Sequence, residues 1–501
     1  MKDLIISGSD YNHITHMIDE AEISARFGNE VYFLLCNHHF GYCACNMRGS
    51  SFKCSRCNHY VKGLLKKCSP SIKVIEMDDQ MKEQLSEEVG KIESDYNSSE
   101  DIKAISYKGV KVGLGCLSAY ITHSRNNNPL IDDEFRAYFD KVLLAGFYYA
   151  AFQYQMIMKI DPDRVQLYNG RCLESRPAGD IAILHHILLR CNEQWRVFPH
   201  SFLKREYYNA LPHSIEANKK WLNSIWADEY IPQIEKERVG RRFFESKYEH
   251  SFGGDKDYTA NQKANKLPDN WDASKMNYVI FNSSEDELTA IGGDYEEKKV
   301  FKNQYIGVVH IANLFKDRKD VAIYLRIHPN LAEINYKYHI DLLGIEELFD
   351  NVFVIRADSD ISTYALMREA YRVITFGSTT GIEATYMGKP VIALGVNDFS
   401  GLDISYNPES VEEVERLLQA EELPPRPQTE AIKYGYFSMN LNLPGFSFFE
   451  FNISDFSFWG HTVRRYSLAK YFGSTTLYAL VGWIGEFICK RDDVPVKEAQ
   501  Y

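Results

Sequence analysis

One stretch of the sequence places small hydroxyl side chains, a glycine and an acid after a mostly apolar run, residues 371–375. The stretch continues with Ser378, Thr379, Thr380, Gly381 and Glu383. If the run forms a strand and a helix follows, backbone N–H groups and hydroxyls gather at the helix N-terminus, where a phosphate binds well. The carboxylate of Glu383 would then reach out of the first helical turn to the diol of a ribose. The pattern predicts a nucleotide site, and a capped turn without a ligand is the alternative.

A second group of candidate phosphate ligands lies upstream, at the end of another apolar run, residues 321–327. Arg326 and His328 stand at this end, and Pro329 stops the strand. Because parallel strands deliver their carboxyl ends to one edge of a sheet, we expect both side chains near the hydroxyl-rich turn. They would neutralise the charge of a departing phosphate without a metal ion. The alternative for His328 is a histidine with purely structural hydrogen bonds.

One pair of acids has the spacing of a metal-binding Asp-x-Asp motif. Asp358 and Asp360 lie a few residues past a predicted strand, at the start of a predicted helix. We therefore interpret the pair as a helix N-cap and expect no metal at the donor site.

Taken together, the motifs resemble the donor half of GT-B glycosyltransferases. The resemblance rests on the Arg-x-His-Pro strand end, the Ser-Thr-Thr-Gly-Ile-Glu-Ala turn at 378–384 and the Gly-Lys-Pro-Val run at 388–391. It is strongest to the group that builds bacterial capsule and lipopolysaccharide chains, with Kdo transferases and polysialyltransferases as more distant relatives. Residues 105–113, 167–171 and 279–287 resemble the same group.

Strands alternate with helices in both halves of the chain, which indicates parallel α/β sheets. The resemblance implies two Rossmann-like, doubly wound domains that face a cleft, followed by a helical and aromatic return segment. We expect an N-terminal acceptor domain at 1–255 with a cysteine-rich insertion at 36–68, a nucleotide-sugar donor domain at 270–425, and the return segment at 426–501, packed across both domains.

The resemblance also implies an activity: transfer of a sugar from a nucleotide-activated donor to a growing or lipid-linked capsule or lipopolysaccharide O-chain. Such an enzyme would need no cofactor for catalysis. Three other functions fit the same pattern. A nucleotide-sugar epimerase or a teichoic-acid-type polyol-phosphate transferase also uses His and Ser near phosphates, and a non-catalytic scaffold of a membrane assembly complex would bind partners instead.

The resemblance extends the candidate site to residues outside the two main motifs. Ser283, Ser284 and Glu285 would bind donor phosphate or sugar, although Ser-Ser-Glu is also an ordinary helix N-terminus with an acid in its first turn. Asn169 and Arg171 would contact the acceptor or a sugar.

An inverting reaction needs a general base that takes the proton of the acceptor hydroxyl. This base should project from the first domain. Asp10 and His13, in the turn after the first predicted strand, are the candidates, and each has a helix cap or a surface position as its alternative. With His328 they complete the predicted catalytic set.

Six of the ten cysteines crowd into residues 36–68. They are Cys36, Cys43, Cys45, Cys54, Cys57 and Cys68. The Cys-x-x-Cys pair is half of a zinc site, which Cys43 with Cys45 or Cys36 would complete. We expect either a structural zinc on Cys43, Cys45, Cys54 and Cys57 or a group of free thiols.

The formal net charge of −12 argues against nucleic-acid binding, which needs a basic surface. The first residues lack the charged region and long apolar core of a signal peptide, so we expect a cytoplasmic protein. The longest apolar stretch, 477–489, is too short to span a bilayer and carries Glu486. A core helix is the expected role, with peripheral contact at the inner face of the cell membrane as the alternative.

Overall fold

The computed structural model describes residues 1–92, 94–198, 201–249, 258–440, 443–444, 447–451, 456–458, 461–463 and 492–499. The chain divides into two compact units. Unit 1 comprises Met1–Pro212 and Asn442–Tyr501, and unit 2 comprises His213–Leu441.

The N-terminal part of unit 1 alternates strands and helices. Its strands are β1 (Lys2–Ile6), β2 (Glu30–Leu35), β3 (Lys73–Glu76), β4 (Arg164–Tyr168), β5 (Leu188–Phe198) and β6 (Ser201–Tyr208). Its helices are α1 (Tyr11–Arg26), α2 (Ser51–Leu65), α3 (Asp79–Val89), α4 (Ser99–Ala104), α5 (Val112–Ser124), α6 (Asp133–Ile160) and α7 (Arg176–Leu184).

Unit 2 repeats this alternation. Its strands are β7 (Met276–Phe281), β8 (Val321–Arg326), β9 (Val352–Ile355), β10 (Arg372–Phe376) and β11 (Val391–Gly395). Its α-helices are α8 (Ile215–Ala227), α9 (Gln233–Tyr248), α10 (Glu285–Leu288), α11 (Asp294–Glu297), α12 (Gln304–Leu314), α13 (Lys337–Leu343), α14 (Thr363–Glu369), α15 (Thr380–Tyr386), α16 (Val411–Gln419) and α17 (Gln428–Asn440). Two 3-10 helices lie at Pro329–Leu331 and Ile345–Glu347.

Four short strands follow in the C-terminal part of unit 1. They are β12 (Leu443–Pro444), β13 (Phe449–Phe451), β14 (Phe456–Phe458) and β15 (His461–Val463). Strands β13, β14 and β15 form a small antiparallel sheet of their own.

The main sheet of unit 1 has the strand order β12-β6-β5-β4-β1-β2-β3. Strands β1 to β5 pair in parallel, whereas β6 and β12 join antiparallel at one edge. The chain runs from β1 outward to β3 and then returns to β4 on the other side of β1. Ligands of such sheets bind beside this switch point, at the carboxyl ends of the strands.

The sheet of unit 2 has the order β11-β10-β7-β8-β9, and every pairing is parallel. Its strands are buried on both faces: all six residues of β8 are buried, as expected for a parallel sheet covered by helices. The strand order switches between β7 and β10. Both units therefore confirm the predicted Rossmann-like α/β fold.

The unit boundary lies at residues 212 and 213, whereas the sequence analysis placed the end of the first domain at residue 255. Helix α9 packs on α17 because two glycines allow their backbones to approach closely. A Cβ atom at Gly240 would lie 2.2 Å from the carbonyl oxygen of Ile432, and one at Gly435 would lie 2.3 Å from the carbonyl oxygen of Gly240. Phe243, Phe244 and other aromatic side chains fill the space around this contact. Helices α8 and α9 thus belong to unit 2, although they were expected in the first domain.

The described part of the C-terminal tail packs on unit 1. Strand β12 pairs with β6, and the carboxylate of Asp19 accepts hydrogen bonds from the backbone N–H groups of Ser447, Phe448 and Phe449. The hydroxyl of Tyr120 donates to the carbonyl of Pro495 over 2.6 Å. The apolar stretch 477–489 lies outside the described residues. Among the helices that are described, none combines the length and the apolar character needed to cross a bilayer.

Arg372, at the start of β10, is buried and connects the sheet of unit 2 to the end of α16. Its guanidinium donates to the carbonyls of Leu417 (2.8 Å) and Leu418 (2.6 Å) and to that of Ala420. These are carbonyls at a helix C-terminus, which have no partner within the helix.

We expect Arg372→Met to lower the free energy of unfolding by at least about 3 kcal/mol, because three buried carbonyls would lose a charged donor. Thermal unfolding followed by circular dichroism measures the effect. The matched control is Arg318→Met, which removes an exposed pair with Asp320 and should leave the melting temperature near that of the wild type. Equal losses in the two variants would contradict the assignment.

Candidate functional site

A cavity of about 150 Å³ lies in unit 2 at the carboxyl ends of β7, β8 and β10, beside the switch point of the sheet. Both motifs singled out in the sequence line it. Their lining residues are Arg326, His328, Ser378, Thr379, Thr380 and Glu383. The cavity is open to solvent, and its size suits the phosphate part of a ligand whose remainder extends outward.

Arg326 supports the neighbouring loop and also faces the cavity. Its guanidinium donates to the carbonyls of Arg356 (2.7 Å) and Ser359 (3.2 Å). Burial lowers the pKa of Arg326 to about 10, so the side chain stays charged at neutral pH. Its Nε has no hydrogen-bond partner among the described residues. A buried, charged donor of this kind is suited to an anionic ligand.

His328 is oriented by hydrogen bonds on both sides. Its backbone N–H donates to Oδ1 of Asn282 over 2.7 Å, and its Nδ1 accepts from the backbone N–H of Asn330 over 3.2 Å. The ring of Tyr258 meets the imidazole edge-on at 5.2 Å. Because Nδ1 is an acceptor, the neutral ring carries its proton on Nε2, which is then a donor.

Asn282 is a lining residue that the sequence analysis did not single out. It is buried, and its Nδ2 has no hydrogen-bond partner in the described part of the chain. Asn282 and Arg326 therefore each bring to one cavity a buried N–H donor that has no hydrogen-bond acceptor among the described residues. The sequence could have indicated this residue, because Asn282 is the first polar residue after the apolar run 278–281.

The hydroxyl-rich turn begins at Gly377, whose φ of +82° is unfavourable for other residues. A Cβ atom there would also lie 2.5 Å from Cδ1 of Leu288, so only glycine fits. Ser378 and Thr380 lie side by side, with 2.9 Å between their hydroxyl oxygens, and α15 follows. Gly381 lies within α15 and is not among the residues that line the cavity, but its N–H donates to the carbonyl of Ser378.

Glu383 lines the cavity as predicted, and it is paired with a residue that the sequence analysis missed. Nζ of Lys247, on α9, lies 3.1 Å from Oε1 of Glu383, and both side chains line the cavity. Lys247 was overlooked because α9 was expected to belong to the first domain. The ion pair holds the carboxylate beside the hydroxyl-rich turn.

Ser283, Ser284 and Glu285 are not brought to this cavity. Ser283 Oγ donates to the carbonyl of Phe376 over 2.6 Å, and Ser284 Oγ donates to Asp286. The first of these bonds fastens the end of β7 to the end of β10, and the second is local to the start of α10. Burial raises the pKa of Glu285 to about 7, so this carboxyl is partly protonated at neutral pH.

The interpretation of Asp358 and Asp360 as a helix cap is wrong. Ser362 caps α14 through its side chain, and Asp360 instead pairs with Lys263 (2.8 Å) and Lys266 (2.5 Å).

The candidate base residues meet at the switch point of unit 1. Asp10 caps α1 by accepting from the N–H of Asn12 over 2.8 Å. The ring of His13 stacks on Tyr168, the last residue of β4, with 3.8 Å between ring centroids. Burial lowers the pKa of His13, and the nearby charge of Asp10 acts in the opposite direction. His13 is therefore neutral at pH 7 and suited to accept a proton.

Asn169 and Arg171 follow β4 directly, at the same edge of the unit 1 sheet. Asn169 adopts a left-handed conformation with φ of +59°, and its amide donates to Glu193 over 2.5 Å. Arg171 Nε donates to the hydroxyl of Ser118 over 2.6 Å. The structure thus places both residues near Asp10 and His13 in the fold, and their predicted contact with a sugar stays a prediction.

A second cavity, of about 270 Å³, lies in unit 1. Cys43, Cys45, Cys54 and Cys57 line it as a group, and Cys36 joins them. Burial raises the pKa of Cys54 to about 11 and that of Cys45 to about 12, so these thiols are protonated unless a metal replaces the protons. The structural zinc remains a prediction.

One protein-family model matches part of the chain. Residues 223–422 match the family described as "Capsule polysaccharide biosynthesis protein", and every residue that lines the unit 2 cavity falls within this range. Among curated proteins, no sequence matches the chain.

Several solved structures are similar to this one at low identity. KpsC, the beta Kdo 2,4 transferase of Thermosulfurimonas dismutans, has 14% identity and a TM-score of 0.35, over 55% of this chain and 79% of its own. S. aureus MnaA with UDP has 13% identity and a TM-score of 0.28, over 87% and 93%. A putative UDP-N-acetylglucosamine 2-epimerase from Listeria monocytogenes has 10% identity and a TM-score of 0.24, over 88% and 94%. With TM-scores this low, none of these similarities bears on substrate or mechanism.

The family match covers most of unit 2, including the turn, the strand ends and the cavity between them. Residues 223–422 are thus similar to the capsule polysaccharide biosynthesis protein family, the group that the motifs of the chain resemble.

Proposed function

We propose that this protein is a glycosyltransferase that binds a nucleotide-activated sugar in the unit 2 cavity and transfers the sugar to a growing or lipid-linked surface polysaccharide. One observation carries the proposal: Arg326 Nε and Asn282 Nδ2, two buried donors without partners among the described residues, line one cavity with the hydroxyl-rich turn. Buried donors are costly to leave unpaired, so their presence favours an anionic oxygen ligand.

The chemistry follows from the charge that develops on the leaving phosphate. Arg326, the Nε2–H of His328 and the hydroxyls of Ser378 to Thr380 surround the cavity. These fixed donors stabilise the departing anion because they need not reorganise during the reaction. The site would thus act without a metal ion. Glu383, held by Lys247, would accept hydrogen bonds from the ribose hydroxyls.

The acceptor hydroxyl must lose a proton as it attacks the sugar, and Asp10 or His13 is the proposed base. An epimerase would use the same donor cavity but would change the donor without any acceptor. Product analysis with and without a glycan acceptor distinguishes the two. A scaffold without a donor site would show no stabilisation by nucleotide sugars, whereas a donor at 100 times its Kd stabilises the protein by about 2.7 kcal/mol.

Of the tests of the proposed function, the first changes Asn282. Asn282→Asp keeps the oxygen that accepts from His328 N–H but replaces the free donor with a negatively charged oxygen. We expect donor affinity to fall at least about tenfold, because a donor to phosphate is lost and a like charge is added. Isothermal titration calorimetry with UDP-, GDP-, CMP- and dTDP-sugars measures the donor affinity.

The matched control for this experiment is Asn303→Asp. Asn303 caps α12, a role that Asp fulfils equally well, and it does not line the cavity. If Asn282→Asp leaves the donor affinity unchanged, Asn282 does not contact the phosphate of the donor.

The second prediction concerns Glu383. We expect Glu383→Gln to weaken binding of the preferred ribonucleotide donor roughly tenfold, because charged acceptors make the stronger hydrogen bonds to hydroxyls. The corresponding 2′-deoxy donor should bind the wild type and the variant with nearly equal affinity. If both donors weaken equally, Glu383 acts only by holding Lys247.

The third prediction separates the two candidate bases through pH. Because burial lowers the pKa of His13, its imidazole stays deprotonated below the ordinary value of 6.5, and the acidic limb of kcat should lie below that pH. We expect His13→Asn to lose most of kcat at every pH with little change in the KM of the donor. If His13→Asn retains kcat while Asp10→Asn loses it, Asp10 is the base.

A further inference from the structure

The cavity of about 270 Å³ in unit 1 lies at the edge of the sheet where parallel strands bind ligands. Asp10 lies in the turn after β1, Asn37 lies just after β2, and both line the cavity. Asp10 is one of the two proposed bases, so the cavity contains a group that sugar transfer needs beside the acceptor hydroxyl. Its volume is near the lower limit for small-molecule sites, about 300 Å³, and a single sugar unit fits this space.

The wall that α2 contributes to this cavity is positively charged. Lys53 and Arg56, one helical turn apart on α2, line the cavity. Nζ of Lys53 donates to the backbone carbonyl of Cys45 over 3.2 Å, a neutral partner that leaves the charge of the ammonium in place. Among the described residues that line the cavity, Asp10 is the one carboxylate. Two cations against one carboxylate attract an anionic ligand.

The sequence around the two cations extends this positive charge. Residues 48–67 contain six Lys or Arg and no Asp or Glu. Burial lowers the pKa of His123, on α5, and the positive charges of Lys53 and Arg48 lower it further. The charge of Lys53 therefore acts beyond its own helix, and no acid within the segment compensates it.

The cysteine-rich loop before α2 forms a fixed wall of the cavity. The buried amide of Asn46 donates to the carbonyls of Gly41 (3.0 Å) and Ser50 (3.1 Å), which holds the loop against the start of α2. Burial raises the pKa of Cys54 to about 11 and that of Cys45 to about 12, so these thiols carry no charge at neutral pH while they keep their protons. The charge in the wall thus comes from other side chains.

Two asparagines in the cavity offer hydrogen bonds suited to sugar hydroxyls. Nδ2 of Asn58 donates to Oδ1 of Asn37 over 2.8 Å, which orients the amide of Asn58. Oδ1 of Asn58 is buried and has no hydrogen-bond partner among the described residues, and both asparagines line the cavity. A buried acceptor without a partner favours a ligand that brings a hydroxyl donor. The cavity is therefore suited to more than a bare anion.

We propose that this cavity binds the terminal sugar of an acidic acceptor, and that Lys53 and Arg56 hold the carboxylate or phosphate group of this sugar. Asn58 accepts from one of its hydroxyls, and the attacking hydroxyl lies beside Asp10. The oxygen of this hydroxyl bonds to the anomeric carbon of the donor, the bond from that carbon to phosphate breaks, and the proton goes to Asp10 or His13. This step rests on the proposed function, whereas recognition of the anionic group rests on the cavity alone.

The test measures binding of acidic and neutral sugars to the full chain without a donor, by isothermal titration calorimetry. The acidic probes are methyl glucuronide and glucose 6-phosphate, and the references are methyl glucoside, which is neutral, and inorganic phosphate, which lacks a sugar. We expect the preferred acidic sugar to bind at least about tenfold more tightly than either reference, because hydrogen bonds to charged groups are the stronger ones. Which acid binds more tightly distinguishes a carboxylate from a phosphate. Binding of neither acid, or equal binding of a reference, would overturn the proposal.

Two substitutions test the cations on α2. Lys53→Gln and Arg56→Gln should each weaken binding of the preferred acidic sugar at least about fivefold and leave binding of methyl glucoside unchanged. The matched control is Lys66→Gln, the same change at the C-cap of α2 and outside the cavity, which should bind like the wild type. Equal losses in the three variants would assign the preference to the overall charge of the protein and would overturn the proposal.

Thiol labelling of the wild type locates the ligand and does not depend on the folding of variants. Cys45 is exposed and lines the cavity, whereas Cys68 lies outside it. Saturating acidic sugar should slow iodoacetamide labelling of Cys45 and leave that of Cys68 unchanged, and an unchanged rate at Cys45 would contradict the proposed site. Nucleotide-sugar binding to unit 2 is measured separately, so failure of the proposed function and failure of this acceptor site are distinguishable.

Discussion

The hydrogen bond from the backbone N–H of His328 to Oδ1 of Asn282 joins the ends of two neighbouring strands, and the geometry of the unit 2 cavity depends on it. It fixes the amide of Asn282 with Nδ2 left over as a donor, and it holds His328 at the point where β8 ends. Arg326, two residues earlier, donates its guanidinium hydrogen bonds to the loop at 356–359. These bonds fix several hydrogen-bond donors at the carboxyl edge of the sheet.

Much of this arrangement could be predicted from the sequence, because apolar runs that end in polar residues mark the carboxyl edge of a parallel sheet. Arg326, His328, Ser378 and Glu383 were found in this way, and they lie together. Lys247 could not be found so, since its place in the site depends on contact between α9 and α17, far apart in sequence. Ser283, by contrast, had the right position along the chain but serves to bind the end of β10.

In unit 1, sequence patterns indicated which residues lie at the same edge of the sheet, but not which side chains they contact. Asp10 and His13 follow β1, and Asn169 follows β4, so the strand order alone brings them close. Their partners, such as Tyr168 against His13, follow from side-chain packing that no local pattern encodes. The cysteines are similar: spacing suggested a metal, whereas the cavity between the thiols became visible only with the loop folded onto α2.

Gly240 on α9 and Gly435 on α17 let the backbones of the two helices come into close contact. Gly240 lies seven residues before Lys247 on the same helix, which corresponds to about 10 Å along its axis. Any side chain at position 240 would push α9 away from Ile432 and carry the ammonium of Lys247 away from Glu383. Tolerance to sequence change at this helix crossing is therefore limited by the position of Lys247, and a larger residue there would alter the charge pair that lines the unit 2 cavity.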